Sequence, residues 1–298
     1  MGEQRIGFIG VGLMGHGMAR NIVAAGYALT VMAHRNRAPV EDLLARGAAE
    51  AGSPKAVAEA SEIVFLCVTG SEQVLALVDG ADGLAAAGGP RTIVDCSTSD
   101  PSVTTALAAR LAAADITLLD APLSRTPKDA WAGTLDVMIG GGDADVARVR
   151  PVIECFAQRI VHTGPVGTGH TMKLLNNFLS LGYAALYAEA LMLGAKAGLT
   201  AETFHQVIGG GRMDCGFYQT FMQYVVGRDR EAHKFTLRNA LKDTSYLNAF
   251  AQAQNAANPM ATAVRNAYAL AIGRGRGDEF VPMLADVIAD LNGLPPRR

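Results

Sequence analysis

Short apolar runs alternate with amphipathic stretches through the first half of the chain. Residues 5–9, 29–33, 62–68, 92–96, 116–121, 135–139 and 159–162 read as strands. Several are apolar without alternation, as strands covered on both faces are. Helical spacing falls between them, at residues 14–25, 40–46 and 101–113 among others. Strands alternating with helices predict βαβ units and a parallel, doubly wound α/β sheet. Near Gly164 the pattern changes. Residues 166–198 form one long helical stretch, followed by 201–208, 217–226, 235–253, 259–271 and 280–291, with no convincing strand. The expected organisation is an α/β domain over residues 1–164 and an all-helical domain over 165–298, with a long helix over about 168–197 between them. Pro295 to Arg298 read as a frayed tail.

The 298 residues suit two domains. Half of them are hydrophobic and 18% are charged, which excludes disorder. A net charge of -2 without a basic stripe argues against nucleic acid as a partner. Cys67, Cys96, Cys155 and Cys215 form no C-x-x-C pair, so neither a zinc site nor a redox dithiol is expected, and no other metal-ligand spacing occurs. No apolar leader opens the sequence, so the cytoplasm is the expected address. Residues 174–195 are long enough to span a bilayer, but Asn176, Asn177, Ser180 and Glu189 lie inside them. A buried helix of a protein without a membrane partner is the reading.

The first strand runs into Gly10-Val11-Gly12-Leu13-Met14-Gly15 and then a helix. This is G-x-G-x-x-G in its required context. The first glycine permits the turn, the second lets a pyrophosphate approach the backbone, and the third lets helix and strand pack closely. The phosphates would meet the free N–H groups of the helix start. A dinucleotide-binding Rossmann-type domain is expected. After the second strand an acid would hold a ribose 2′-hydroxyl; here the chain reads His34-Arg35-Asn36-Arg37. Arg35, with His34 and Arg37 in reserve, suits a 2′-phosphate, so NADP is expected over NAD; a solvated basic turn is the plainer alternative.

The long helix opens Gly167-Thr168-Gly169-His170-Thr171-Met172-Lys173 and continues to Asn177. Helical spacing puts Gly169, Lys173, Asn177 and Ser180 on one face. A lysine desolvated there would have a lowered pKa and could pass a proton to or from a substrate oxygen. Asn177 could orient it. The alternative is a lysine snorkelling to the surface. His170 reads as a solvated helix-face histidine, Trp131 as packing, and Asp214 and Cys215 have no partner visible in sequence. The glycine-rich stretch 209–218 could cap a substrate or simply connect two helices.

Asp95-Cys96-Ser97-Thr98, Asp120-Ala121-Pro122, Gly133-Thr134-Leu135, Gly164-x-x-Gly167-x-Gly169-x-x-x-Lys173-x-x-x-Asn177 and Lys242-Asp243 follow the glycine fingerprint in order. With these motifs the chain resembles the β-hydroxyacid dehydrogenase family over nearly its whole length. The resemblance implies a hydride transfer between NADP(H) and a small 3-hydroxy acid or its semialdehyde. It makes Lys173 the acid/base and Asn177 its supporting residue. It makes Ser124 the holder of the substrate's acid group, and Thr98 and Lys242 cofactor contacts. Val68 takes a cofactor-loop position usually held by leucine. It further implies a homodimer or homotetramer.

One departure stands out. Where the family's substrate loop usually runs Ser-Gly-Gly, this chain has Ser124-Arg125-Thr126. Arg125 and Thr126 would add donors for an oxyanion, similar to the loop of sulfolactaldehyde reductases; alternatively Arg125 turns outward to an acid such as Asp129. Two other readings stay beside the dehydrogenase: a regulatory nucleotide-binding protein that lost its chemistry, and an imine reductase. The pair Lys173 and Asn177 argues against both.

Overall fold

The computed structural model describes residues 4–86 and 91–295; Pro296 to Arg298 of the expected tail lie outside them. The chain divides into two compact units, Met1–Lys173 and Leu174–Arg298. The division falls inside the long helix.

The first unit is built on β1 (Arg5–Ile9), β2 (Ala28–Met32), β3 (Ala49–Glu50), β4 (Ile63–Leu66), β5 (Thr92–Asp95), β6 (Thr117–Asp120), β7 (Leu123–Ser124), β8 (Leu135–Gly140) and β9 (Ala157–Gly164). Their order is β3-β2-β1-β4-β5-β6-β8-β7, with β9 on β8. The order reverses between β1 and β4, the switch point at which doubly wound sheets bind ligands beyond the strands' carboxyl ends. The sheet is not wholly parallel as expected: β8 runs antiparallel to β6 and β7. Only Ala121 and Pro122 separate β6 from β7, and β8 returns over α6, so no long crossover reverses the chain. β3 and β7 have two residues each, too few for a periodicity to register.

Helices α1 (Gly15–Ala24), α2 (Ala38–Ala45), α3 (Pro54–Ala60), α4 (Ser71–Asp79), α5 (Pro101–Ala112), α6 (Pro127–Ala132) and α7 (Asp143–Ile153) cover the sheet. Phe8, Phe65, Val94 and Leu119 point to one buried face; Val64, Leu66, Ile93 and Leu118 point to the other. This is why β4 and β5 read as continuous apolar runs: both faces are dry.

The helical elements are α8 (Thr168–Lys196), α9 (Ala201–Ile208), α10 (Gly216–Val225), α11 (Leu237–Ala253), α12 (Pro259–Gly273) and α13 (Leu284–Leu291), the last preceded by a 3-10 turn at Val281–Met283. α8 begins only at Thr168 because Gly164 and Gly167 hold positive φ, at 125° and 94°. In the second unit Leu181, Ala184, Ala188 and Leu191 of α8 share a core with Tyr218, Phe221, Tyr268 and Leu284. The expected burial of α8 is one-sided. Leu175, Leu179, Tyr183, Leu186 and Leu193 are between 41% and 63% exposed. By length and composition alone α8 could cross a membrane.

Candidate active site

The glycine loop comes first. Gly10 has φ +99°, and a Cβ on it would collide with the Cys67 carbonyl. A Cβ on Gly15 would collide with the Gly10 carbonyl, whereas at Gly12 nothing lies within 4 Å. Two glycines are therefore needed for packing and the middle one leaves open space, which is the cradle a pyrophosphate requires. α1 starts at Gly15, directly after this space, so the positive end of its dipole lies beside it. Burial pushes the Cys67 thiol up to about 12, so no thiolate forms beneath the loop. Val11 is buried; Leu13 is 70% exposed, and Met14 half-buried.

The neighbouring loops are tied to each other. Val68 donates its amide to Ser97 Oγ at 3.0 Å, and Ser97 donates its own to Asp95 Oδ1 at 2.9 Å. The Val68 amide is therefore committed within the protein and is not a spare cofactor donor. Thr98, next in line, is half-buried. Beyond β2, His34 and Arg35 are exposed. Arg37 is held by Glu50 through two hydrogen bonds of 3.0 Å, which removes it as a reserve.

In the substrate loop, Ser124 ends β7 opposite Asp136 of β8 and is half-buried. The next two residues correct the sequence expectation. Arg125 Nε meets Asp136 Oδ2 at 3.0 Å, and its Nη1 lies 3.9 Å from Asp129. With the Gln158 amide turned so that its oxygen faces the guanidinium, Gln158 accepts from Nη1 and Nη2. Arg125 also has φ 85°, a backbone conformation that favours glycine, the residue usual here in the family. Thr126 is the N-cap of α6: it donates its hydroxyl to Asp129 Oδ2 at 2.5 Å in a capping box. That bond is the first cause of the lowered Asp129 pKa. Both extra donors have partners within the protein, Arg125 chiefly on β8 and Thr126 within α6.

α8 carries Lys173 and Asn177 one turn apart. Its start is anchored on Asp120, the last residue of β6. Asp120 accepts from the Gly167 amide and the His170 amide, each at 2.7 Å. His170 is not solvated as expected: it is fully buried, with Nδ1 2.8 Å from Thr104 Oγ1. In the second unit, Asn177 donates to Asp243 Oδ2 at 2.7 Å, and Lys242 Nζ lies 3.0 Å from Asp243 Oδ1 and 5.1 Å from the Tyr246 ring centre. Asp243 therefore bridges the two residues assigned from that unit.

Sequence reasoning gave no role to Asp95, Asp120, His170 or Asp243. The usable signal for the first two was an acid closing an otherwise apolar strand. The stretch 209–218 joins α9 to the first turn of α10: Asp214 accepts from the Gly210 amide and from Gln219, Cys215 caps α10, and Tyr218 is fully buried.

A dinucleotide cradle at the switch point of a doubly wound sheet, followed by a helical unit with a lysine near its entry, defines a dinucleotide-dependent oxidoreductase. The family model described as the NAD binding domain of 6-phosphogluconate dehydrogenase matches residues 5–164. The model described as "NAD-binding of NADP-dependent 3-hydroxyisobutyrate dehydrogenase" matches residues 167–285. The 3-hydroxyisobutyrate dehydrogenase of Pseudomonas aeruginosa is 35% identical over 89% of this chain and 91% of its own. The 3-sulfolactaldehyde reductase of Escherichia coli is 30% identical over 92% of each. The crystal structure of 3-hydroxyisobutyrate dehydrogenase from Salmonella typhimurium superposes with a TM-score of 0.84 at 27% identity, covering 96% of this chain and 100% of that one. The chain belongs to the β-hydroxyacid dehydrogenase family. It is an NAD(P)-dependent oxidoreductase acting on CH–OH groups of hydroxy acids or on the corresponding semialdehydes.

Proposed function

We propose that the protein interconverts a small carboxylate semialdehyde and its 3-hydroxy acid with NADP(H), Lys173 serving as the acid/base. The carrying observation is the anchorage of α8. Its first turn is bonded to the carboxyl end of β6, the edge of the sheet that also carries the glycine cradle. Lys173 follows one turn later. When bound, a reduced nicotinamide supplies the hydride. Lys173 donates a proton to the oxygen of the aldehyde being reduced, and takes it back in the reverse direction. Asn177, held by Asp243, has its amide orientation set for a polar partner. Ser124 holds the substrate's acid group. Gly10, Val11, Gly12, Leu13, Met14 and Gly15 hold the pyrophosphate, with Thr98 and Lys242 as further cofactor contacts.

NADP is favoured by Arg35, which is exposed beyond β2 and makes no ion pair with the described residues, and by the lack of an acid in residues 32–37. A carboxylate rather than a sulfonate is favoured because Arg125 and Thr126, the two donors a sulfonate reader would use, are held by Asp136 and Asp129. The exposed apolar stripe of α8 supports a homodimer or homotetramer. Four free thiols accord with a cytoplasmic address.

The test is initial rates with NADPH against succinic semialdehyde, glyoxylate, methylmalonate semialdehyde, tartronate semialdehyde and sulfolactaldehyde, for the wild type and Lys173→Ala. Methylmalonate semialdehyde or tartronate semialdehyde, the two that give 3-hydroxy acids, with the highest kcat/KM, and turnover reduced at least a thousandfold in the variant, is expected. Preference for sulfolactaldehyde overturns the carboxylate reading; wild-type turnover in Lys173→Ala overturns the acid/base role.

A further inference from the structure

Beneath the proposed site lies a buried polar cluster that the chemistry described above does not use. His170 is 0% exposed, Asp120 0%, Asp95 2% and Thr104 3%. His170 Nε2 has no hydrogen-bond partner among the described residues; its nearest acid oxygen is Asp95 Oδ2 at 3.7 Å. Nδ1 lies 2.8 Å from the Thr104 hydroxyl and 3.9 Å from Asp120 Oδ2. Thr104 donates its single hydroxyl hydrogen to the Asp100 carbonyl oxygen at 3.1 Å and so accepts from Nδ1–H, which leaves Nε2 as the nitrogen without a partner among the described residues. That tautomer is assigned from the partners. The imidazole thus stands between two carboxylates that have separate structural duties. Asp120 accepts the Gly167 and His170 amides that begin α8. Asp95 accepts the Ser97 amide and the Ser99 hydroxyl, and Ser97 in turn holds the Val68 amide.

The local packing leaves little slack. A Cβ on Gly169 would come within 2.6 Å of the Met138 carbonyl oxygen and 2.8 Å of that of Asp120. A buried polar group with one unmade bond is costly, and such clusters persist where they define a geometry. This one is no metal centre: no group of three His, Cys, Asp or Glu side chains suited to an ion occurs among the described residues. What it joins by a hydrogen bond is α5, which follows the loop after β5, and the first turn of α8.

We propose that His170 is a positioning residue for the reaction: hydrogen-bonded to Thr104 and bracketed by Asp95 and Asp120, it fixes the first turn of α8, and with it Lys173, relative to α5 and the loop before it that carries Ser97 and Thr98. The inference rests on the reading of Lys173 as the acid/base. It assigns His170 no contact with substrate. Its effect is expected on turnover, through the placement of the lysine, and not on cofactor affinity, which the glycine cradle sets independently.

The experiment compares His170→Phe, His170→Asn, His170→Gln and Thr104→Val with wild type and Lys173→Ala. Three quantities are measured: NADPH Kd by fluorescence, kcat and KM with the best of the five aldehydes, and amide hydrogen exchange of peptides covering residues 165–175. His170→Phe is expected to lower kcat by roughly 30- to 100-fold, the scale of a misplacement of about 1 Å. NADPH Kd should stay within about threefold. Exchange of the α8 start should rise by at least about tenfold while peptides of β1 and α1 keep wild-type rates. Asn carries its amide near the Nδ1 position, where the bond to Thr104 is made, and Gln near Nε2, which has no partner among the described residues, so His170→Asn should recover most of kcat and His170→Gln little. Should His170→Phe not fold, His170→Gln and Thr104→Val carry the same comparison, with smaller losses of the same pattern. Wild-type kcat per folded molecule, or unchanged exchange at residues 165–175, overturns the proposal. If Lys173→Ala is inactive while the His170 variants turn over normally, only the positioning role falls. If Lys173→Ala is active, the acid/base reading falls, and the exchange measurement alone decides whether His170 holds the helix start.

Discussion

Gly169→Ala tests whether the first turn of α8 is a fixed mount. The Cβ it adds would meet the Met138 carbonyl oxygen at 2.6 Å, the Asp120 carbonyl oxygen at 2.8 Å and Asp120 Oδ2 at 2.9 Å. Ordinary contact begins near 3.4 Å, so the worst contact is about 0.8 Å too short, and two of the three atoms are backbone. Either α8 moves outward by most of that distance, or Asp120 turns and releases the two amides it holds at 2.7 Å. Overpacking of this kind costs about 1–3 kcal/mol. The helix-propensity gain of alanine over glycine offsets up to about 1 kcal/mol of it. With the full offset the net loss is about 0–2 kcal/mol, a Tm lower by at most roughly 8 °C. Catalysis suffers more than stability, because a displacement near 1 Å in a reacting group costs about a hundredfold. The assay is kcat at saturating NADPH and aldehyde, with Tm measured in parallel. Gly194→Ala on the same helix is the control, since its Cβ meets only Leu199 at 3.7 Å; unchanged kcat and Tm equal or higher are expected there. A Gly169→Ala enzyme with kcat within threefold of wild type would refute the reasoning, whatever its Tm.

Arg35→Ala should weaken NADPH binding by about tenfold or more, the loss of one charge-assisted hydrogen bond, and leave NADH binding within about twofold; fluorescence titration of both cofactors checks this, and equal losses for both would return Arg35 to a solvated turn. The acid limb of stability should also be visible. Asp42 is depressed to about 2, first by its hydrogen bond to Arg46 and then by that to His16, and Asp129 is lowered chiefly by Thr126. A carboxylate with a lowered folded pKa contributes stability above its unfolded value, near pH 4, and loses it as pH falls through the folded value. Tm should therefore drop between about pH 4 and 2, and Asp42→Asn should flatten that drop; a variant with the same acid slope as wild type would show that the Asp42 contacts carry none of it.

Much of the fold was legible because local patterns carried it. The strand at Arg5–Ile9 and the helix at Ala201–Ile208 fall where the periodicity placed them, and the glycine fingerprint sits where strand gives way to helix. The antiparallel β8 was not legible, since strand direction is a property of how the chain returns and not of the strand's own residues. β3 and β7 were too short to register. In the substrate loop, the sequence left Arg125 a choice between the pocket and an acid on the same loop. The structure engages it chiefly with Asp136, which lies eleven positions on and reaches it by strand pairing.

The sequence by itself determined the class of chemistry. Gly10, Gly12 and Gly15 prescribe a backbone path, and residue spacing prescribes that Lys173 and Asn177 share a helix face. Both are local, set by dihedral angles and by 3.6 residues per turn. Tertiary structure alone decided which polar groups have partners. His170 reads as solvated until the ends of β5 and β6 bring Asp95 and Asp120 against it, 75 and 50 positions back in the chain. Arg125 reads as a spare donor until Asp136 takes it. A hydrogen bond is satisfied in space and not along the chain, so burial and pairing follow only from the folded packing that brings distant residues within 3 Å of one another.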